Sequence, residues 1–191
     1  HYFIKDRKKE IYKNAAGQTI TPQKIENMLS EFDAIQSAFL VGDNMDFNTV
    51  LIYPDEEYLN THIPKREPAK IRSAFSALIQ SVNGFLAPYE RIINFAVIHR
   101  DFSAEHDELT QKGTFKRQNI LTNWWTIIKP MYAPNQANIE SKGKIISFPN
   151  WLLKAMNIVA QDISWSGRYL KIEILSRKCK CQWQDDSLLL G

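Results

Sequence analysis

Cysteine is nearly missing. Two residues in 191, Cys179 and Cys181, cannot staple a disulfide scaffold. A metal site on Cys179-Lys180-Cys181 would want further Cys or His ligands at suitable spacing, and zinc usually takes four. None stands in the right pattern, so the pair reads as reduced and inert, and no metal site is expected. Charge of one sign is also scarce. Lys and Arg number 24 against 21 Asp and Glu, a net of +3, too small to argue for nucleic acid or membrane on charge alone. No apolar run approaches the roughly 20 residues of a membrane span, no signal peptide opens the chain, and no repeat or low-complexity tract is visible. A starting methionine is absent too: the chain opens on His1 with a charged, strand-like segment behind it, as expected of a piece cut from a longer protein. What is present, 44% hydrophobic and 12% aromatic residues, suffices for an ordinary core of one domain or a domain and a half.

Residues 1–21 read as a β-hairpin, with Ala16-Gly17 as the turn. Thr21-Pro22 starts a helix, Thr suiting the N-cap and Pro the first helical position; Ile25, Met28, Leu29 and Phe32 give it one buried face. Apolar runs at 34–41 and 49–53 read as two strands that pair across the polar turn Gly42-Asp43-Asn44. After a break at 64–68, Ile71, Phe75, Leu78, Ile79, Val82, Phe85 and Leu86 form a stripe at helical period, ended by Pro88. Residues 95–98 are a third strand, 101–113 a polar loop, and Ile120, Leu121, Trp124, Ile127 and Ile128 mark one further helix closed before Pro130. Trp124-Trp125 on that helix reads as core plus rim. Pro130, Pro134 and Pro149 punctuate a stretch read as a linker or irregular connection. Beyond it a short helix around Trp151, Leu152, Ala155, Ile158 and Val159 precedes a hairpin turning at Ser166-Gly167. The fold class is therefore α+β: an N-terminal hairpin, a small mixed sheet of about three strands backed by helices, and a C-terminal helix-plus-hairpin extension.

The segment Asp6-Arg7-Lys8-Lys9-Glu10-Ile11-Tyr12-Lys13-Asn14-Ala15-Ala16-Gly17-Gln18-Thr19-Ile20-Thr21-Pro22-Gln23-Lys24-Ile25-Glu26 resembles the hinge and hairpin of adenylate-forming enzymes, and most of all those of long-chain fatty acid–CoA ligases. Val41-Gly42-Asp43-Asn44 is similar to their central strand end. Arg100-Asp101-Phe102-Ser103, then Glu108-Leu109-Thr110 and Lys116-Arg117, resemble their C-terminal loop. The ordered matches run from residue 3 to about 128.

The resemblance implies a C-terminal lid over residues 1–129, a connection over 130–149 and an extension of unknown role over 150–191. It implies that the lid works with a large N-terminal adenylation domain of the same polypeptide. The family reaction joins a fatty acid to ATP as acyl-adenylate, after which CoA displaces AMP, and the lid rotates between the steps. ATP, Mg2+ and CoA would be bound mainly with the larger domain. A cytoplasmic location is implied, no nucleic acid, and peripheral membrane association of the parent stays open. By position, Lys9 is the hinge residue, Arg7 and Lys13 lie near the nucleotide or adenylate, and Gly17 lies beside pantetheine. These residue types suit the chemistry, since a lysine offsets crowding of carboxylate against triphosphate and an arginine forks onto phosphate or ribose oxygens.

One departure stands out. The family's adenylation lysine lies in a loop ending Lys-x-Lys-Arg, and anchoring that pattern on Lys116-Arg117 puts Thr114 at its place. Threonine supplies no positive charge. Lys112 could serve if the backbone shifts at Gly113, or Lys116 could swing in; these are the alternative catalytic candidates. Thr114 equally motivates a different reading, a degenerate, non-adenylating homologue acting as a binding or regulatory module. A third reading, a basic domain binding nucleic acid or anionic lipid through residues 5–13, has only that charge cluster behind it. His62, His99 and His106 are scattered, and His106-Asp107-Glu108 reads as a solvated loop rather than a metal site.

Overall fold

The computed structural model describes residues 11–132 without a break, and beyond them 137–141, 144–148, 152, 153, 156, 158, 159, 162–166, 169–172, 177–184 and 187–190. Strands β1 (Tyr12–Lys13) and β2 (Thr19–Ile20) pair antiparallel, Tyr12 opposite Ile20 and Lys13 opposite Thr19. Their turn is closed by the buried Asn14. Its Oδ1 accepts the Gln18 N–H at 2.9 Å and its Nδ2 donates to Gln18 Oε1 at 2.9 Å. Gly17 sits at φ 79°, in the left-handed region where a side chain would be strained. Helix α1 (Pro22–Ser30) follows, with proline in its first turn as expected. Thr21 precedes it in extended conformation, but its hydroxyl makes no capping hydrogen bond.

The central sheet has three strands, β3 (Ile35–Val41), β4 (Asn48–Pro54) and β5 (Ile92–Val97), in the order β3-β4-β5. The first two pair antiparallel, as the sequence predicts; β5 joins β4 in parallel. A parallel neighbour needs a crossover, and α2 (Glu56–His62) and α3 (Pro68–Asn83) supply it. Helix α2 was not foreseen, because Pro54-Asp55 reads as a strand stop; Asp55 is also its N-cap, accepting the Tyr58 N–H at 2.7 Å. The α3 stripe holds at Phe75, Ile79 and Val82, but Phe85 is 76% exposed. The helix ends at Asn83, whose buried amide bonds both backbone groups of Ile92 at 2.8 Å, so the chain leaves helical register before Phe85.

Alternating residues send the sheet's two faces into separate clusters. Leu40, Val50 and Ile52 pack with Ile20, Ile25, Leu29, Ile79 and Val82. Phe39, Val41 and Leu51 pack with Phe102, Ile120, Trp124 and Ile128. The single last helix expected from the sequence is two, α4 (Arg117–Asn123) and α5 (Trp125–Met131), and Pro130 lies inside the second. The break falls at Trp124, which turns inward at 3% exposure while Trp125 stays 44% exposed.

The 130–149 stretch, expected to be a linker or irregular connection, contains an antiparallel pair, β6 (Ala137–Ser141) and β7 (Lys144–Phe148), with Ile139 opposite Ile146. Strands this short carry too few alternations to stand out between prolines. The expected hairpin beyond is β8 (Ile163–Ser166) with β9 (Tyr169–Ile172), extended by β10 (Arg177–Gln184) and β11 (Ser187–Leu190) into a sheet of order β11-β10-β9-β8. Cys179 and Cys181 lie in β10, opposite Leu170 and Leu190 respectively. Of the short helix expected before β8, Leu152, Leu153 and Met156 are helical, Ile158 and Val159 are not, and Trp151 and Ala155 lie outside the described residues.

Gly42, at the exit of β3, is enclosed. A Cβ there would fall within contact distance of Asn48 Oδ1 and 2.6 Å from the Tyr12 hydroxyl, two groups that hydrogen-bond each other at 2.8 Å. Gly42→Ala should therefore push the hairpin off the sheet end and lower stability by about 1–3 kcal/mol. A lowered urea midpoint at unchanged m would show this, and an unchanged midpoint would contradict it.

Candidate functional site

Two buried carboxylates organise the surface that carries the candidate residues. Glu26, 5% exposed on α1, accepts the Leu40 N–H at 2.8 Å and the Arg117 guanidinium at 2.9 and 2.7 Å on its two oxygens. Arg117 also donates to the Leu40 carbonyl at 3.3 Å and lies over the Phe39 ring, 4.9 Å from its centroid. The start of α4 is thus held to both α1 and β3 by charge-assisted bonds in planar fork geometry.

His106 and Asp107 are exposed, as a solvated loop requires, but Glu108 is fully buried, and for it that reading is corrected. Arg100 donates to its two oxygens at 2.7 and 2.8 Å; the Ser103 N–H, Asn123 Nδ2 and Trp124 Nε1 add bonds at 3.2, 3.1 and 2.9 Å. Burial alone would push this carboxyl up, but the hydrogen bonds from Arg100, Asn123 and the Ser103 amide overcome it and hold the pKa at about 2. Arg100 in turn stacks over Trp124 at 4.6 Å. Beneath the loop, Phe102 and Phe115 meet edge to face at 5.2 Å, and both contact Phe39. On this base stands the turn 110–114. The Thr110 N–H donates to the Thr114 carbonyl at 2.9 Å, their hydroxyls bond at 2.7 Å, and Gly113 takes φ 74°.

A cleft of about 340 Å³ separates the hairpin from α4. Ile11 and Tyr12 form one lip and Arg117, Leu121 and Trp125 the other, with Phe39 and Gly42 on its floor side. Burial raises the pKa of the Tyr12 phenol well above its ordinary value, so at neutral pH it is a hydrogen-bond donor and not a charge.

The predicted residues fall on two separate projections. Lys13 is exposed on β1 and its carbonyl accepts the Asn44 N–H at 2.8 Å. Nothing lies within 4 Å of the position a Cβ on Gly17 would take, so this turn leaves open space for a slender chain to pass. Lys112 is exposed at the apex of the 110–114 turn, and no partner binds its ammonium among the described residues. Thr114 is exposed and tied to Thr110. Lys116 pairs with Asp107, which Asn119 also binds. Arg7 and Lys9 lie outside the described residues. No hydrogen bond or ion pair joins the hairpin to the 110–114 turn among the described residues. His62 stacks on Tyr58 and His106 bonds Ser103 at 2.8 Å. Among the described residues no group of three or more His, Cys, Asp or Glu could hold a metal ion. Glu26, Arg100, Glu108 and Arg117 all lie inside the motif segments, but their pairing is not evident from them; opposite charges recurring across separate motifs are the available signal.

The α+β fold of this chain is shared with solved adenylation domains. The adenylation domain of the carboxylate reductase from Mycobacterium chelonae superposes with a TM-score of 0.59 at 21% identity, over 67% of this chain and 20% of that one. The chain belongs to the AMP-binding enzyme C-terminal domain family, whose sequence model matches residues 11–136. Long-chain-fatty-acid–CoA ligase 5 of Rattus norvegicus is 30% identical over 145 residues, 68% of this chain and 21% of that protein. Long-chain-fatty-acid–CoA ligase 1 of Homo sapiens is 26% identical over 143 residues, 68% of this chain and 20% of that protein. The chain thus spans about a fifth of the length of these curated relatives.

Glu108 gives a pH prediction. Its folded pKa, about 2, lies below the ordinary 4.5, so its contribution is complete above the ordinary value and disappears as pH falls through the folded one. Glu108→Gln should cost about 3 kcal/mol at pH 7, since it leaves Arg100 without its counter-charge. Denaturant unfolding of wild type and variant at a series of pH values should show the gap narrowing only between about pH 5 and pH 2. A gap that is constant over this range would contradict the assignment.

Proposed function

We propose that this chain is the C-terminal mobile lid of a fatty acid–CoA ligase and acts only together with a large N-terminal adenylation domain. The parent enzyme activates a fatty acid with ATP to acyl-AMP and passes the acyl group to CoA. The observation that carries this reading is the similarity to long-chain-fatty-acid–CoA ligases over 68% of this chain, beside the family match over residues 11–136. Two features of the site support it. The hairpin carries Gly17 with open space beside its backbone, where the pantetheine arm would pass; the resemblance assigns Arg7 and Lys13 to the nucleotide and Lys9 to the hinge. The 110–114 turn offers a lysine to the reacting carboxylate and phosphate from a base stiffened by Glu108.

Between the two lysine candidates the geometry favours Lys112. Its ammonium meets no partner among the described residues, whereas that of Lys116 is engaged by Asp107. A cation free to meet developing negative charge costs nothing to recruit, while Lys116 must first leave a carboxylate. Thr114 keeps the second reading in play, a homologue that binds without adenylating.

In the full-length protein, Lys112→Ala should lower ATP–pyrophosphate exchange by about 10²–10³-fold and Lys116→Ala by much less, the scale of losing one preorganised charge donor. Absence of exchange and of thioester formation in the wild type, with several fatty acids offered, would leave the non-adenylating reading standing. On the hairpin, Gly17→Val should raise the KM for CoA while exchange stays near wild type; equal loss in both assays would argue against a pantetheine contact there.

A further inference from the structure

The strands beyond residue 136 lie outside the family match. Their packing gives them a task. Phe47, between β3 and β4, and Ile93, on β5, are 2% and 1% exposed, and the cluster that covers them includes Phe148, Leu153 and Ile158 from the extension counted from β6 onward, with Ile163 and Trp165 packed alongside. Tyr132, at the exit of α5, joins this cluster to the sheet. Its ring meets that of Phe47 at 4.9 Å, its hydroxyl donates to the Val41 carbonyl at 2.9 Å, and it accepts from the Thr49 hydroxyl at 3.1 Å.

The same β3–β4 turn is the seat of the hairpin. The Ala15 N–H donates to the Met45 carbonyl at 3.0 Å, the Asn44 N–H donates to the Lys13 carbonyl at 2.8 Å, and Tyr12 reaches Asn48 past Gly42. A turn that holds the hairpin on one side is therefore clamped by Tyr132 and the extension on the other. Turns between strands are otherwise among the first places to open locally.

We propose that the extension is a brace for the hairpin: by burying Phe47 and Ile93 and backing Tyr132, it fixes the β3–β4 turn and so sets how well the hairpin receives CoA. Tyr132 and Phe148 are positioning residues in this scheme. The CoA half of the inference rests on the function proposed above; the mechanical half does not.

Phe148→Ala and Tyr132→Phe test it, with Leu59→Ala, a core cut on α2 beyond the opposite end of β4, as the stability control. In the 191-residue chain, amide hydrogen exchange at Ala15 and Asn44 should speed by about tenfold more than at buried α1 amides in the first two variants, and evenly in the control. In the full-length protein the KM for CoA should rise severalfold while ATP–pyrophosphate exchange stays near wild type. Uniform acceleration in all three variants would overturn the brace. Selective acceleration with an unchanged KM for CoA in an active enzyme would overturn its link to CoA. A wild type inactive in both half-reactions would refute the proposed function, with amide exchange still deciding the brace.

Discussion

Glu26 is a carboxylate with almost no water around it, and three elements of the domain meet at its two oxygens. An ion this deeply buried is tolerated only when its hydrogen-bond capacity is filled. Arg117 supplies the counter-charge from α4 and Leu40 a backbone amide from β3, while the carboxylate itself comes from α1. Helices on opposite faces of the sheet are thereby tied across its edge strand, and the packing of either face depends on the other. The entry to α4 is also where the basic turn rejoins the core, so this pair sets the base on which Lys112 and Thr114 stand.

Glu108 repeats the device one loop earlier, with five donors on one carboxylate. The two networks leave little freedom in the supports and much at the tips. Gly17 and Lys112, the residues that would touch a substrate, have open surroundings, while the motif residues around them are spent on structure. The proposed lid, which would present two different tips to one reaction centre, would need this division, because precision has to come from the scaffold when the tips lack neighbours of their own.

Much of the fold could be read from local pattern. The hairpin turn, the proline-started α1, the β3–β4 pairing and the buried stripe of α3 each rest on rules that act within a few residues. The failures have a common cause. Asp55 ends one element and caps the next, so α2 was missed; Trp124 breaks a helix because its indole must reach Glu108, many residues away in sequence. The β6–β7 pair and the last two strands depend on partners brought together by pairing, which short strands do not announce. In the site, motif resemblance marks segments and leaves their members undifferentiated. Arg117 and Lys116 are neighbours in one motif, yet one locks α1 to α4 and the other rests on a surface carboxylate.

The sequence by itself determined the membership of this chain in its family and the α+β class, since residue identity and short-range order carry both. Tertiary structure alone decided which charges are buried and paired, and that the strands beyond the family match back the turn that holds the hairpin. The reason is physical: solvation and counter-charge depend on what folding brings within a few ångströms, and residues 26 and 117, or 47 and 148, have no relation until the sheet forms between them.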